Sequence, residues 1–142
     1  MSLPATLFDR ASAEVIALHR FFVQWYNRAT ADAADFSLFE RAMGPGMHMI
    51  PPSGAALDRD QVIGHVRANR GAFDNDFAIE IADIRLSWQA GNAIVVTYVE
   101  KQRRAGEATA RRASALFTEN PSAPNGVEWR HLHETWMQAA ND

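Results

Sequence analysis

Around Phe77 the apolar residues of this chain change period, and that change limits the folds open to it. Ahead of it, "SAEVIALHRFFVQWYNRA" places Val15, Leu18, Phe22, Trp25 and Ala29 at spacings of three and four, one continuous stripe along a helix. Beyond it, "FAIEIADIRLSW", "NAIVVTYVEKQRR", "EATARRASALFT" and "VEWRHLHETWM" alternate with a period near two, the mark of strands with one buried and one exposed side.

The helical half divides into three. Ser12 is placed to cap the first helix, with Glu14 in its opening turn. A short second helix runs through "DFSLFERAM" behind Asp35. Gly44, Pro45 and Gly46 then close the helical pattern, and Met47 to Ile50 form a short strand that two prolines stop. In "LDRDQVIGHVRANRG", Asp58 and Gln61 have capping-box spacing, Leu57 and Val62 stand at staple positions and Gly71 ends the third helix. The four strands turn around Ala90 to Asn92, Ala105 to Gly106 and Asn120 to Gly126. Sequential strands of this kind pair as neighbours. The resulting expectation is a single α+β domain over residues 1–142, with three N-terminal helices packed in a strongly curved, mostly antiparallel sheet.

Composition narrows the partners. A chain of 142 residues buries roughly 70% of its extended surface, enough for a core without staples. A formal charge of -3 gives no field for nucleic acid or an anionic membrane. Lys101, Arg103, Arg104, Arg111 and Arg112 gather near one turn, but Glu100 and Glu107 interrupt them, as on a solvated hairpin tip. There is no cysteine, hence no disulfide and no thiolate chemistry. With no secretory leader and no run of about 18 apolar residues, a soluble cytoplasmic protein that contacts no membrane is expected. No cofactor motif is present, so no cofactor is expected.

A turn at Ala105 and Gly106 places Glu100 opposite Arg111. It also puts Ile94, Val96 and Tyr98 on one sheet face with Ala113, Ala115 and Phe117. The small alanines leave volume there, for the helix or for a pocket. If the last strand turns its odd residues to that face, His131, His133 and Thr135 join it and Glu134 points away; a slip of one residue would substitute Arg112 and Glu134. The catalytic candidates are therefore His131, His133, Tyr98 and Glu100, with a histidine or carboxylate as base and Tyr98 or Arg111 polarising an oxygen. Ligand-lining candidates are Arg111, Trp25, Met49, Asp83 and Phe117. The alternative is a packed face with a Glu100–Arg111 ion pair and structural histidines. Asp83 also sits where the first long strand changes phase, from Ile79 and Ile81 to Ile84, Leu86 and Trp88, which suggests a bulge. His131 and His133 could chelate from one side of a strand, yet "HLHE" is not a helical zinc motif, and no metal is expected.

The order long helix, short helix, short strand, helix and four long strands resembles the nuclear transport factor 2-like superfamily, specifically its SnoaL-like or DUF4440-type branch. "WRHLHETW" at 129–136 is similar to the tryptophan and paired histidines in the last strand of many members, including the association domain of calcium/calmodulin-dependent kinase. Trp129, His131 and His133 match that pattern, whereas Glu134, Thr135 and Glu100 depart from it. "IVVTYVEKQ" and "MIPPSG" resemble the strand before the long hairpin and the turn before the third helix. The resemblance implies a cone-shaped domain whose sheet encloses a cavity, and a homodimer formed through the outer sheet surface.

Two functions follow as expectations. One is a pocket protein for a small hydrophobic or mildly anionic molecule, working as a cofactor-independent isomerase, dehydratase or cyclase. The other is a noncatalytic association or ligand-binding domain. Fold alone does not choose between them.

Overall fold

A computed structural model describes residues 4–138. Helix α1 (Leu7–Tyr26) is followed by a single 3-10 turn at Ala31–Ala33 and by α2 (Phe36–Ala42). Strands β1 (Met43–Ile50) and β2 (Leu57–Asp58) precede α3 (Arg59–Ala68), and β3 (Ala78–Ala90), β4 (Ala93–Arg104), β5 (Glu107–Glu119) and β6 (Val127–Trp136) complete the chain.

Helix α1 starts earlier than the Ser12 cap would have it. The Asp9 N–H donates to Thr6 Oγ1 (3.0 Å) and the Thr6 N–H donates to Asp9 Oδ2 (3.1 Å), a reciprocal capping box one and a half turns upstream. Its stripe accordingly extends back to Leu7 and Ala11, and Ser12 lies inside the helix. Asp35 caps α2, and Asp58 with Gln61 forms the box of α3, both as the spacing indicates.

The strand β1 also begins early, at Met43, because "GPG" continues an extended path instead of ending one. Gly44 serves that path directly. A Cβ there would lie 2.9 Å from the Trp129 carbonyl oxygen, so only glycine lets β1 approach β6 this closely.

The six strands form one sheet in the order β2-β1-β6-β5-β4-β3, with β1 and β6 parallel and the other neighbours antiparallel. The fold is α+β with three helices, but the expected strongly curved cone is not found. The sheet is mixed and open, with β2 and β3 as its two edges. Wrapping is unnecessary because α1 lies against β3, β4 and β6 while α3 lies against β1, so the helices cover one face between them.

Pairing of β4 with β5 follows the two-residue turn at Ala105 and Gly106, with Glu100 opposite Arg111 and Tyr98 opposite Ala113. Both turn residues have positive φ (52° and 80°), as a tight hairpin with the twist of its strands requires. Ile94, Val96, Tyr98, Ala113, Ala115 and Phe117 are all buried, on the face that meets the helices. Along β3 the register shifts between Ala82 and Arg85, and Asp83 sits in the shift with φ 56°, which makes it the bulge residue.

Candidate functional site

Between α1, α3 and the inner sheet face lies a cavity of about 560 Å³, in the range of small-molecule sites. Its walls are apolar: Leu18 and Phe22 from α1, Met47 and Met49 from β1, Val62 and Val66 from α3. His19, Glu100, Gln102, Arg111 and Glu134 meet on the α1 and sheet side, and Ser53, Gln61 and His65 also line the cavity. A larger trough of about 710 Å³ runs over the far ends of β3, β4 and β5, but its charged residues Glu80, Lys101 and Arg103 are exposed to water.

Each polar side chain arrives by simple periodicity, with one exception. His19 belongs to the helical series Val15, His19, Phe22, Tyr26, and alternation along β4 turns Tyr98, Glu100 and Gln102 to one face. Arg111 arrives opposite Glu100. The exception is Glu134. Residue Phe117 pairs with Trp129 but Leu116 pairs with His131, so Arg130 is an extra residue on β6. That bulge lets odd-numbered Trp129 and even-numbered Leu132 and Glu134 share the inner face. It turns His131 and His133 outward, contrary to the expected register.

His19 and Glu100 form a buried ion pair. The Nδ1–H of His19 donates to the Val15 carbonyl oxygen (2.7 Å) and its Nε2–H donates to Glu100 Oε1 (2.9 Å). A carbonyl only accepts, so Nδ1 carries a proton; a second proton on Nε2 makes the ring an imidazolium facing a carboxylate. Burial opposes the charge on His19, yet the bond to Glu100 and its negative charge outweigh that and raise the histidine above its ordinary value. Burial likewise pushes the Glu100 carboxyl up, but His19, Gln102 and Arg111 overcome it and hold Glu100 at about 2. Gln102 donates its side-chain N–H to Glu100 Oε2, so both oxygens of Glu100 are committed.

Glu134 is placed differently. Its side chain is 3% exposed and its protein partner is Arg111, whose Nη1–H donates across a long 3.4 Å. Burial and the charge of Glu100 push its carboxyl up to about 7 against the pull of Arg111 and His19. The Nε of Arg111 and the hydroxyl of Tyr98 are both buried without a hydrogen-bond partner. Tyr98 stands edge-on to the His19 ring at 5.6 Å, and burial first, then Glu100 and Glu134, keep its phenol protonated. Two carboxyls on opposite sides of their usual range that face one cavity, with Arg111 beside them, are the elements of an acid–base centre.

Of the residues singled out from sequence, Glu100, Arg111 and Met49 line the cavity, whereas Tyr98 is wholly buried beside the His19 ring and does not line it. Trp25 is buried among Phe21 and Phe36 and donates its Nε1–H to the Val66 carbonyl (2.7 Å). Phe117 is wholly buried against Trp129, and Asp83 pairs with Arg85 at the bulge (2.7 Å). None of these three lines the cavity. His131 and His133 stand on the outer face.

His19, Gln102 and Glu134 were not named as site residues. For His19 the signal was a histidine inside an apolar helical series. For Glu134 it was the alternative register, which the bulge brings about locally. Trp129 is held from behind: its Nε1–H donates to Glu14 Oε2 (2.8 Å), and Asn125 donates to Glu14 Oε1 (3.0 Å). Burial raises Glu14 against these bonds.

No family model matches the chain, and no curated protein matches it. Solved structures do. A nuclear transport factor 2-like protein of unknown function from Pseudomonas aeruginosa aligns with a TM-score of 0.81 at 20% identity, over 91% of this chain and 99% of that one. The CaMKII hub of S. rosetta aligns at 0.71 and 12% identity, over 96% and 99%. A candidate ketosteroid isomerase from Parabacteroides distasonis aligns at 0.61 and 12% identity, over 87% and 86%. The chain thus has the nuclear transport factor 2-like, or cystatin-like, fold. At these identities the likeness extends to the fold alone.

Proposed function

We propose that the protein is a cofactor-independent proton-transfer enzyme, an isomerase, dehydratase or cyclase, acting on a small and largely apolar molecule with one polar group. We also place it in the SnoaL-like or DUF4440-type branch, on the pattern at 129–136. One observation carries the functional reading. Glu134 is a buried carboxyl on an apolar cavity with a single loose partner, while its neighbour Glu100 is locked by two.

A carboxyl at about 7 is half-protonated near neutral pH and can both take and return a proton. Glu134 is the proton carrier. Glu100 and His19 set the field around it, and Arg111 polarises a substrate oxygen as charge develops there. The aliphatic and aromatic walls hold the apolar part of the substrate. His131 and His133, facing outward, take no part in this scheme. The likeness to a candidate ketosteroid isomerase agrees with proton transfer on this fold.

The test uses a panel of small cyclic ketones and enones incubated with the protein in deuterated buffer, with exchange at the carbon beside the carbonyl followed by NMR. Exchange that is lost in Glu134→Gln and kept in His133→Gln supports the reading. Absence of both exchange and binding across the panel contradicts it.

A second reading, an association domain that pairs two copies of this chain, is favoured by Leu86, Trp88 and Trp136, large apolar side chains each about half exposed. The likeness to the CaMKII hub supports it. Light scattering behind size exclusion is the check, with a homodimer expected and a monomer at every concentration contrary to it.

A further inference from the structure

On the opposite face of the sheet from the cavity, three histidines stand together. His48 of β1 and His131 of β6 are register partners across the parallel pair, and His133 lies two residues along β6, on the same side. The ring centres of His48 and His131 are 4.6 Å apart, and those of His131 and His133 are 6.4 Å apart. We propose that this trio is a binding site for a divalent late first-row metal ion of the zinc class.

The spacing suits it. With imidazole–zinc bonds of about 2.0–2.1 Å, two rings sharing one ion at angles from 90° to tetrahedral have centres roughly 4.5–5.5 Å apart, which His48 and His131 meet and His133 does not meet without rotation. The hydrogen bonding suits it as well. The Nδ1–H of His48 donates to the Gly46 carbonyl oxygen (3.2 Å), so Nε2 is the nitrogen left to ligate, and this orienting bond to the other nitrogen is a usual companion of metal ligation. The Nδ1 of His131 is buried with no hydrogen-bond partner, a cost that a bound ion or its water would remove. Neutral imidazole suits zinc, nickel and copper in preference to magnesium or calcium.

Among the described residues no three His, Asp or Glu side chains stand so that together they could hold a metal ion. The ion therefore takes His48 and His131 first, with water completing its shell, and His133 joins by rotating about its own side-chain bonds. Asp58 pairs with His48 across β1 and β2, and its Oδ1 accepts from the Gln61 N–H as the cap of α3 (2.8 Å), so the site is assigned to the histidines. Binding ties β1 to β6. The reverse side of β1 carries Met47 and Met49 into the cavity wall, so the ion would stiffen that wall.

Zinc chloride alone is titrated into the full chain by calorimetry, with chelator-treated wild type, His48→Gln and His131→Gln. All three lie on or near the surface of formed strands, and circular dichroism confirms that the variants are folded. One ion per chain with micromolar affinity, weakened at least tenfold by either substitution, is the expected result, together with a zinc-dependent rise in Tm that both substitutions abolish. Binding weaker than millimolar, or binding that neither substitution changes, overturns the proposal. The cavity reading does not depend on the outcome, since Glu134→Gln leaves this site intact.

Discussion

Glu100 and Glu134 face the same cavity from β4 and β6, yet a change to glutamine should act in opposite directions at the two positions. Glu100 compensates a buried imidazolium. Removing its charge leaves His19 unpaired in the interior, and a loss of about 3–5 kcal/mol is expected at pH 6 from urea unfolding. The loss shrinks at higher pH, where His19 can shed its proton. Glu134 is raised from 4.5 to about 7, so between those values the folded chain binds more protons than the unfolded one. Stability from this group is fully present below 4.5 and is lost as pH rises through 7, by about 3 kcal/mol at most. His19, raised above 6.5, adds to the same decline on the alkaline side. Glu100, held at about 2, works the other way and loses its contribution only as pH falls from 4.5 toward that value. Thermal unfolding from pH 4 to 9 should therefore show a maximum on the acid side of neutral. Glu134→Gln should flatten the alkaline fall and raise stability at pH 8 by about 1–2 kcal/mol. A Glu134→Gln protein less stable than wild type at pH 8 would mean that the carboxylate is better solvated than the cavity implies.

At the level of elements, the β4–β5 hairpin was legible and β6 was not, for one reason. Alternation together with a two-residue turn determines register, so Glu100 and Arg111 could be paired from their numbers alone. A bulge has no comparable signature inside "WRHLHETW". One extra residue at Arg130 reverses the parity of all that follows and exchanges Glu134 for His133 at the cavity. The bulge on β3 was visible because its apolar residues change phase around Asp83. On the helical side, "GPG" gave the signal of a stop although its glycine lets β1 run close to β6. Gly44→Ala should force that pair apart and cost about 1–3 kcal/mol. Hydrogen exchange in β1 should quicken while the β4–β5 amides stay protected. Ala105 bears the left-handed strain of the hairpin at φ 52°. Ala105→Gly should relieve it and raise stability by about 1 kcal/mol, measured by denaturant unfolding.

For the whole molecule, the layer arrangement followed from the change of period at Phe77, and the curvature did not. Two apolar surfaces must be covered, and sequence pattern alone cannot say whether the sheet bends around the helices or the helices spread along an open sheet. Here they spread, with α1 and α3 on different strands and the cavity in the gap between them. The candidate site was half legible. The hairpin register put Glu100 and Arg111 side by side, although Tyr98 and Phe117 of the same hairpin fall in the core, while His19 and Glu134, which arrive through a helix or past a bulge, depend on packing between distant segments. The functional account rests on the consequence of that packing, a buried carboxyl whose titration is moved toward neutrality. Its most direct test is an NMR titration of the carboxyl carbons, with Glu134 assigned by its absence in Glu134→Gln. A midpoint of about 7 is predicted, and a midpoint in the ordinary carboxylate range, near 4.5, would contradict it.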